Sequence, residues 1–172
     1  MAKQTLQELG DHLAASLGSD VERFEIVLGE AVLSVAAPAI VKVMTLLRDD
    51  GKCLFKLLVD ICGVDYPDRA ARFEVVYNLL SVKHNLRLRV KVAAAEDQPV
   101  PSIAGLYSTA GWFEREAWDL YGIYFADHEG EWDGFYSYIC YCLDRPLSIF
   151  ALSNNPEADL LELANVAAAA YR

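Results

Sequence analysis

One hairpin constrains the fold more than any other part of the chain. From Leu86 to Val92 every second residue is apolar, and the residues between are Arg87, Arg89 and Lys91. Because successive side chains of a strand point to opposite faces, this pattern is typical of a strand with one buried and one solvated face. The preceding stretch, Arg72 to Val82, is rich in β-branched and aromatic residues and is predicted as its partner. The chain is therefore expected to contain an antiparallel pair with an apolar face.

The turn of this hairpin predicts which side chains share a face. A three-residue turn at 83–85 places Leu80 opposite Leu88 on the apolar face. The other face then sets Leu79 and Tyr77 beside the cations of the second strand. Such a face suits either cover by a helix of the same chain, with basic side chains along its edge, or docking of an acidic partner. A shift of one residue in register would exchange the two faces. The candidate docking face consists of Arg87, Arg89 and Lys91.

The other predicted elements supply helices to cover the sheet. Apolar residues recur at helical spacing from Gln4 to Leu17 and from Pro38 to Asp49. Short strands are predicted at Arg23 to Leu28 and Ala31 to Val35. The near-continuous apolar run Leu54 to Val64 predicts a central strand that is covered on both faces. The fold class predicted is α+β, a two-layer domain with helices on a mixed, mainly antiparallel sheet.

Composition restricts the class of function. Hydrophobic residues make up 54% of the 172 residues, above the usual value of about 45–50%, and no apolar run is long enough to cross a bilayer. The surplus favours a subunit with an apolar surface, and an alanine-rich soluble monomer is the alternative. The net charge of −10 opposes contact with nucleic-acid phosphates or an anionic membrane surface. The first residues resemble neither a signal nor a transit peptide, so we expect the chain to stay where it is made.

The sequence shows no pattern typical of a cofactor or metal site. Cys53, Cys62, Cys140 and Cys142 match no zinc or iron–sulfur spacing, so they are predicted as buried free thiols in a reducing compartment. His12 lies off the apolar stripe of its helix and is predicted to be solvated. No glycine-rich phosphate loop is present, so neither NADH nor ATP has an evident binding motif. We expect no cofactor and no metal.

A short acidic helix with an aromatic exit occupies Gly111 to Glu129. Helical spacing places the helix between Trp112 and Tyr121. Gly122 is predicted to end it, and the apolar run Ile123 to Phe125 leaves as an extended segment. The predicted apolar face of the helix comprises Phe113, Ala117, Leu120 and Tyr121.

The charged residues of this helix allow more than one interpretation. Glu114 and Glu116 fall in the predicted first turn, near the positive end of the helix dipole, and Arg115 can pair with Asp119 four residues later. Taken alone, these charges are typical of a solvated helix start, worth a few tenths of a kcal/mol. Alternatively, Glu116, Asp119 and His128 could serve as acid–base groups of a free-standing enzyme.

The run Glu114 to Ile123, followed by Phe125 and His128, resembles the signature of a known family. That family is the 30 kDa subunit of the proton-pumping NADH:quinone oxidoreductase, respiratory complex I. The stretches Asp60 to Pro67 and Arg72 to Ser81 resemble the same family and follow in its order.

The resemblance implies a subunit without chemistry of its own. It would belong to the peripheral arm, packed against the large quinone-site subunit on the cytoplasmic or matrix side of the membrane, and would hold redox-carrying neighbours in register. Its partners would be other peripheral-arm subunits. The same module resembles subunits of membrane-bound hydrogenases and of the plastid and cyanobacterial dehydrogenase, which remain alternatives. The motif residues implied as interface are Trp112, Glu114, Arg115, Glu116, Trp118, Asp119, Tyr121, Phe125 and His128.

The chain after His128 departs from the family pattern. Residues 129–133 are acidic where the family is basic, and residues 135–142 are rich in aromatic residues and cysteine. We therefore expect two parts, a family-like domain at 1–128 and a non-matching tail at 129–172, produced by a reading-frame change or a spliced segment. A terminal helix is predicted with Asn155 as its cap and Pro156 at its first position.

Overall fold

The computed structural model describes residues 5–127 together with two later strands, Tyr136–Cys142 and Leu147–Ser153. The chain divides into two units, Met1–Glu129 and Gly130–Arg172. The helices of the first unit are α1 (Leu6–Leu17), α2 (Ile40–Asp49) and α3 (Ala110–Tyr121). Its strands are β1 (Val21–Val27), β2 (Glu30–Val35), β3 (Leu57–Asp65), β4 (Phe73–Ser81), β5 (Leu86–Ala94), β6 (Val100–Pro101) and β7 (Phe125–Ala126). In the second unit, β8 (Tyr136–Cys142) and β9 (Leu147–Ser153) form an antiparallel pair.

A five-stranded sheet with the order β1-β2-β5-β4-β3 forms the first layer. Strands β2 and β5 run parallel, and the other neighbouring pairs are antiparallel. The predicted mixed, mainly antiparallel sheet is confirmed. Strand β5 joins the hairpin β1–β2 to the meander β3–β4–β5 and is therefore the central strand of the sheet.

The core lies on one face of the sheet, where the helices form the second layer. Every second residue of β5, from Leu86 to Ala94, is buried in a single apolar cluster with side chains of α1 and α2 such as Leu13 and Met44. Val32 and Val76 are also buried, yet they point to the opposite face and do not belong to the cluster. The two-layer α+β class is therefore confirmed.

The predicted register of the central hairpin is wrong by one residue. Ser81 pairs with Leu86 and Leu79 with Leu88, so the turn contains four residues rather than three. Tyr77 and Leu79 consequently lie on the buried face, and Leu80 lies opposite Arg87. The alternation of apolar and polar residues in β5 predicts which of its side chains are buried, but it does not predict the length of the turn.

Strand β3 was predicted to be central and is instead an edge strand. Its side chains Leu57 and Val59 are exposed, while Leu58 and Ile61 reach the core. Helix α3 packs against the C-terminal part of β3, where a Cβ added to Gly63 would lie 2.7 Å from Cδ2 of Tyr121. The apolar run of this strand is exposed at its N-terminal end and contacts α3 at its C-terminal end. A hydropathy pattern cannot distinguish an exposed apolar residue from one that is covered by a helix.

Helix α1 begins with a reciprocal cap, in which the Thr5 hydroxyl accepts from the Glu8 N–H and the Glu8 carboxylate accepts from the Thr5 N–H. His12 on this helix is not solvated as predicted. Its Nε2 lies 3.0 Å from Oδ1 of Asp50, and its side chain is largely buried. Cys53 is a buried free thiol as predicted, whereas the free thiol of Cys62 is only partly buried.

In the part of the chain that the structure describes, no helix has the length and apolar character required to span a membrane. The predicted terminal helix at Asn155 lies outside the described residues, and the origin of the tail stays a prediction.

Candidate functional site

Helix α3 begins at Ala110 and ends at Tyr121, two residues earlier at its start than predicted. Gly122 adopts a left-handed conformation with φ of 72°, and its N–H donates to the Trp118 carbonyl at 2.8 Å. The predicted helix end at this glycine is therefore confirmed. Glycine suits the position because a residue with a Cβ would be strained in this conformation.

The chain segments on either side of α3 are joined to each other by backbone hydrogen bonds. The exit strand β7 pairs in parallel with β6, so Val100 lies beside Phe125. The Val100 N–H donates to the Tyr124 carbonyl at 2.9 Å, and the Ser102 N–H donates to the Ala126 carbonyl at 2.8 Å. The helix is therefore held at its exit by the same loop that leads into it.

Glu114 ties this loop to α3 from inside the protein. Its side chain is fully buried, and its carboxylate accepts from the Ser102 hydroxyl at 2.6 Å and from the Ile103 N–H at 2.8 Å. The Ser102 hydroxyl also accepts from the Ala104 N–H at 3.1 Å. The interpretation of Glu114 as part of a solvated helix start is wrong. Because the helix begins earlier, this position falls in the second turn and faces the core.

Tyr77 of β4 lies in the same buried region. Its hydroxyl has no hydrogen-bond partner among the described residues. Burial, with a smaller contribution from the nearby charge of Glu114, raises the pKa of this hydroxyl well above its usual value. Tyr77 is therefore a neutral core residue at physiological pH.

The buried face of α3 differs from the predicted one. It comprises Ala110, Gly111, Glu114 and Ala117. Of the four residues on the predicted apolar face, Ala117 is buried and Phe113 packs partly against the core. The other two, Leu120 and Tyr121, are exposed. Phe125, expected as an interface anchor, is buried within its own domain. Glu114 replaces an apolar residue on the inner face because the loop at Ser102 offers it two donors.

The exposed part of α3 carries two tryptophans and three charged side chains, together with Leu120 and Tyr121. The side chains of Trp112 and Trp118 are 58% and 45% exposed. The guanidinium of Arg115 lies 4.6 Å from the centre of the Trp118 ring, and its Nε donates to both carboxylate oxygens of Asp119 at 3.0 and 3.1 Å. The predicted pairing of Arg115 with Asp119 is confirmed. Glu116 is also exposed.

This arrangement does not form an enclosed acid–base centre. Glu116 and Asp119 both face solvent, and Asp119 already accepts from Arg115. His128, the third group of that hypothesis, lies outside the described residues.

The candidate docking face of β5 is partly neutralised by the chain itself. Arg89 forms an ion pair with Glu30 at 3.0 Å, and Lys91 forms one with Glu74 at 2.7 Å. Within residues 5–127 no such pair is formed by Arg87, which is exposed. The helices of the first unit cover the other face, so the predicted contact of the cations with Tyr77 and Leu79 is wrong.

Comparison with known proteins places the chain in a family. The family described as "Respiratory-chain NADH dehydrogenase, 30 Kd subunit" matches residues 33–133. The C subunit of the NADH-quinone oxidoreductase of Paramagnetospirillum magneticum is 58% identical over 126 residues, covering 73% of this chain and 63% of the relative. That of Rhodospirillum rubrum is 55% identical over 125 residues, covering 73% and 59%. The chain thus spans less than two thirds of the length of these relatives.

Two solved structures resemble the fold. A trypsin-resistant fragment (1-134) of Nqo5 has a TM-score of 0.62 and 29% identity, covering 73% of this chain and 98% of that one. A polypeptide of the membrane-bound sulfane sulfur reductase, an archaeal respiratory membrane complex, has a TM-score of 0.61 at 22% identity, covering 73% and 75%, and shows the shared fold alone. Together with the sequence matches, these similarities show that the chain belongs to the 30 kDa subunit family of the respiratory-chain NADH dehydrogenase.

Proposed function

We propose that this chain is a non-catalytic peripheral-arm subunit of a proton-translocating NADH:quinone oxidoreductase. It binds neighbouring subunits, chiefly the large quinone-site subunit, and holds redox-carrying chains in register. It would act on the cytoplasmic side of a bacterial inner membrane, as a peripheral component. The relatives, named as C subunits of NADH-quinone oxidoreductases, support the choice of complex.

The observation that carries the proposal is the outer face of α3. Trp112 and Trp118 are large apolar side chains left exposed on a helix that is otherwise well anchored. Tryptophan, tyrosine and arginine are the residue types that contribute most binding energy in protein interfaces. Arg115, stacked on Trp118 and fixed by Asp119, is preorganised, so little of its side-chain freedom would be lost on binding.

The inner face of α3 supports the same role. Glu114 holds the second turn of the helix, and the β6–β7 pair holds the segment that follows it, to one loop. A helix held in this way presents its outer side chains in one arrangement, which a subunit that positions its neighbours requires. The proposed interface residues on this face are Trp112, Arg115, Glu116, Trp118 and Asp119.

The experiment is a pull-down of the tagged full chain from native membranes, with peptide identification of what is retained. We expect the quinone-site subunit together with subunits that carry flavin and NADH sites. Trp118→Ala should reduce this recovery strongly, whereas Val82→Ala, which shortens an exposed apolar side chain in the turn between β4 and β5, should leave it unchanged.

Two results would contradict the proposal. Recovery of hydrogenase subunits without NADH-site subunits would assign the chain to a different membrane complex. A purified chain with turnover that Glu116→Gln abolishes would identify a free-standing acid–base enzyme.

A further inference from the structure

Three side chains with metal-binding atoms meet away from α3. Nε2 of His12, a carboxylate oxygen of Asp50 and Sγ of Cys53 all lie within 4.8 Å of one another. They come from the middle of α1, the C-terminal end of α2 and the turn that follows α2. We propose that His12, Asp50 and Cys53 form a zinc-binding site that joins α1 to the connection between α2 and β3.

The spacing of the three atoms suits this ion. Zinc binds nitrogen, oxygen and sulfur at about 2.0–2.3 Å, so neighbouring ligands of a tetrahedral site lie about 3.3–3.8 Å apart. His12 Nε2 is now 3.0 Å from Oδ1 of Asp50. Movements of a few tenths of an ångström to one ångström would therefore bring all three atoms to ligand distance, and such shifts lie within the reach of side-chain torsions.

The backbone around the site is already fixed. Leu9 and Leu13 on either side of His12 are fully buried and anchor its turn of α1. The Lys52 N–H donates to Oδ1 of Asp50 at 2.8 Å, and the Cys53 N–H donates to the Asp50 carbonyl at 2.9 Å. Outer hydrogen bonds of this kind orient metal ligands. The connection between α2 and β3 would therefore bring the Asp50 carboxylate and the Cys53 thiol to the ion with little loss of backbone freedom.

The chemistry of the three donors favours zinc over harder cations. Imidazole, carboxylate and thiolate together are typical of zinc sites, whereas magnesium and calcium prefer oxygen alone. One carboxylate and one thiolate would neutralise the two charges of the ion. His12 and Asp50 keep part of their side chains in contact with solvent, so water can supply the fourth ligand.

Binding must displace a proton from sulfur. Burial, and to a lesser extent the charge and hydrogen bonding of Asp50, raise the pKa of the Cys53 thiol to about 12. The zinc–sulfur bond forms as the sulfur–hydrogen bond breaks, and the proton leaves to solvent. Neutral His12 would carry its proton on Nδ1 when Nε2 binds the ion.

The first test titrates the full chain with Zn²⁺ against a coloured chelator. We expect one equivalent bound per chain, and Co²⁺ in its place should give a thiolate-to-metal charge-transfer band. His12→Gln and Cys53→Ser should each weaken Zn²⁺ binding at least about tenfold. Cys62→Ser serves as the matched control, because Cys62 lies on β3 outside the cluster, and should bind as the wild type does.

A second variant separates this site from thiols elsewhere in the chain. Replacing Cys62, Cys140 and Cys142 with serine leaves Cys53 as the only thiol. The charge-transfer band and the one-to-one stoichiometry should persist in that protein. Loss of the band there, or binding that His12→Gln does not weaken, would overturn the proposal and identify the cluster as a hydrogen-bonded contact between α1 and the turn.

Discussion

Glu114 should contribute to stability rather than to binding, because its carboxylate is enclosed by its own chain. Glu114→Ala removes the acceptor of the Ser102 hydroxyl and of the buried Ile103 N–H. Each buried donor left without a partner costs about 1–3 kcal/mol. Ser102 is only partly buried and can turn its hydroxyl to water, so its cost lies at the lower end. We expect a loss of about 2–4 kcal/mol in the free energy of unfolding.

Urea unfolding followed by circular dichroism and tryptophan fluorescence measures this loss. For a chain of 172 residues the melting temperature should fall by about 2–4 °C per kcal/mol. Glu114→Gln keeps the shape of the side chain but replaces one accepting oxygen with an NH2 donor. Either the Ser102 hydroxyl or the Ile103 N–H then loses its acceptor, so this substitution should cost about 1–2 kcal/mol. Glu116→Ala is the matched control, because this exposed carboxylate on the same helix should change the stability by no more than about 0.5 kcal/mol.

A double-mutant cycle with Ser102→Ala tests the contact itself. The two substitutions should show a coupling energy of about 0.5–3 kcal/mol. If Glu114→Ala costs no more than Glu116→Ala, or if Glu114 and Ser102 prove additive, then the buried carboxylate does not hold the loop to α3 and our account of the helix is wrong.

Three further predictions concern packing, backbone and pH. Gly63→Ala should cost about 1–3 kcal/mol in urea unfolding, because its Cβ would meet the Tyr121 ring at 2.7 Å; a stability equal to that of the wild type would show that the ring moves freely. Gly122→Ala should cost about 1–2 kcal/mol, since φ is 72° there, and an unchanged midpoint would contradict the cap. The Lys52 N–H and then His12 lower the pKa of Asp50 in the folded protein. The ionised carboxylate therefore stabilises the fold at pH values above its pKa in the unfolded chain, and this stabilisation is lost as the pH falls through its pKa in the folded protein. Below about pH 4 the wild type should therefore lose stability more steeply than Asp50→Asn, and parallel curves of urea midpoint against pH would refute this.

Local patterns predicted several elements correctly, because the determining interactions lie within a few residues. The alternation of Leu86 to Val92 gave the buried face of β5, and Gly122 gave the end of α3. The pairing of Arg115 with Asp119 followed from their spacing on a helix. The motif also gave the family, which the comparisons confirm.

Predictions that depended on distant contacts were less successful. The hairpin register was wrong by one residue because the length of the turn is independent of alternation. Strand β3 looked central because an apolar run does not reveal whether a neighbour strand or a helix covers it. Glu114 looked like a surface residue because its donors at 102 and 103 lie far along the chain from its own turn.

The sequence by itself determined the three helices, the strands β1 to β5, the apolar face of the central strand and the family, since periodicity and motif are properties of neighbouring residues. Only the tertiary structure decided which charges are exposed. It placed Glu114 inside and Trp112 and Trp118 outside, and it joined His12 to Asp50 across 38 positions of the chain. The physical reason is that burial and hydrogen bonding depend on which segments meet, and a local pattern carries no record of that.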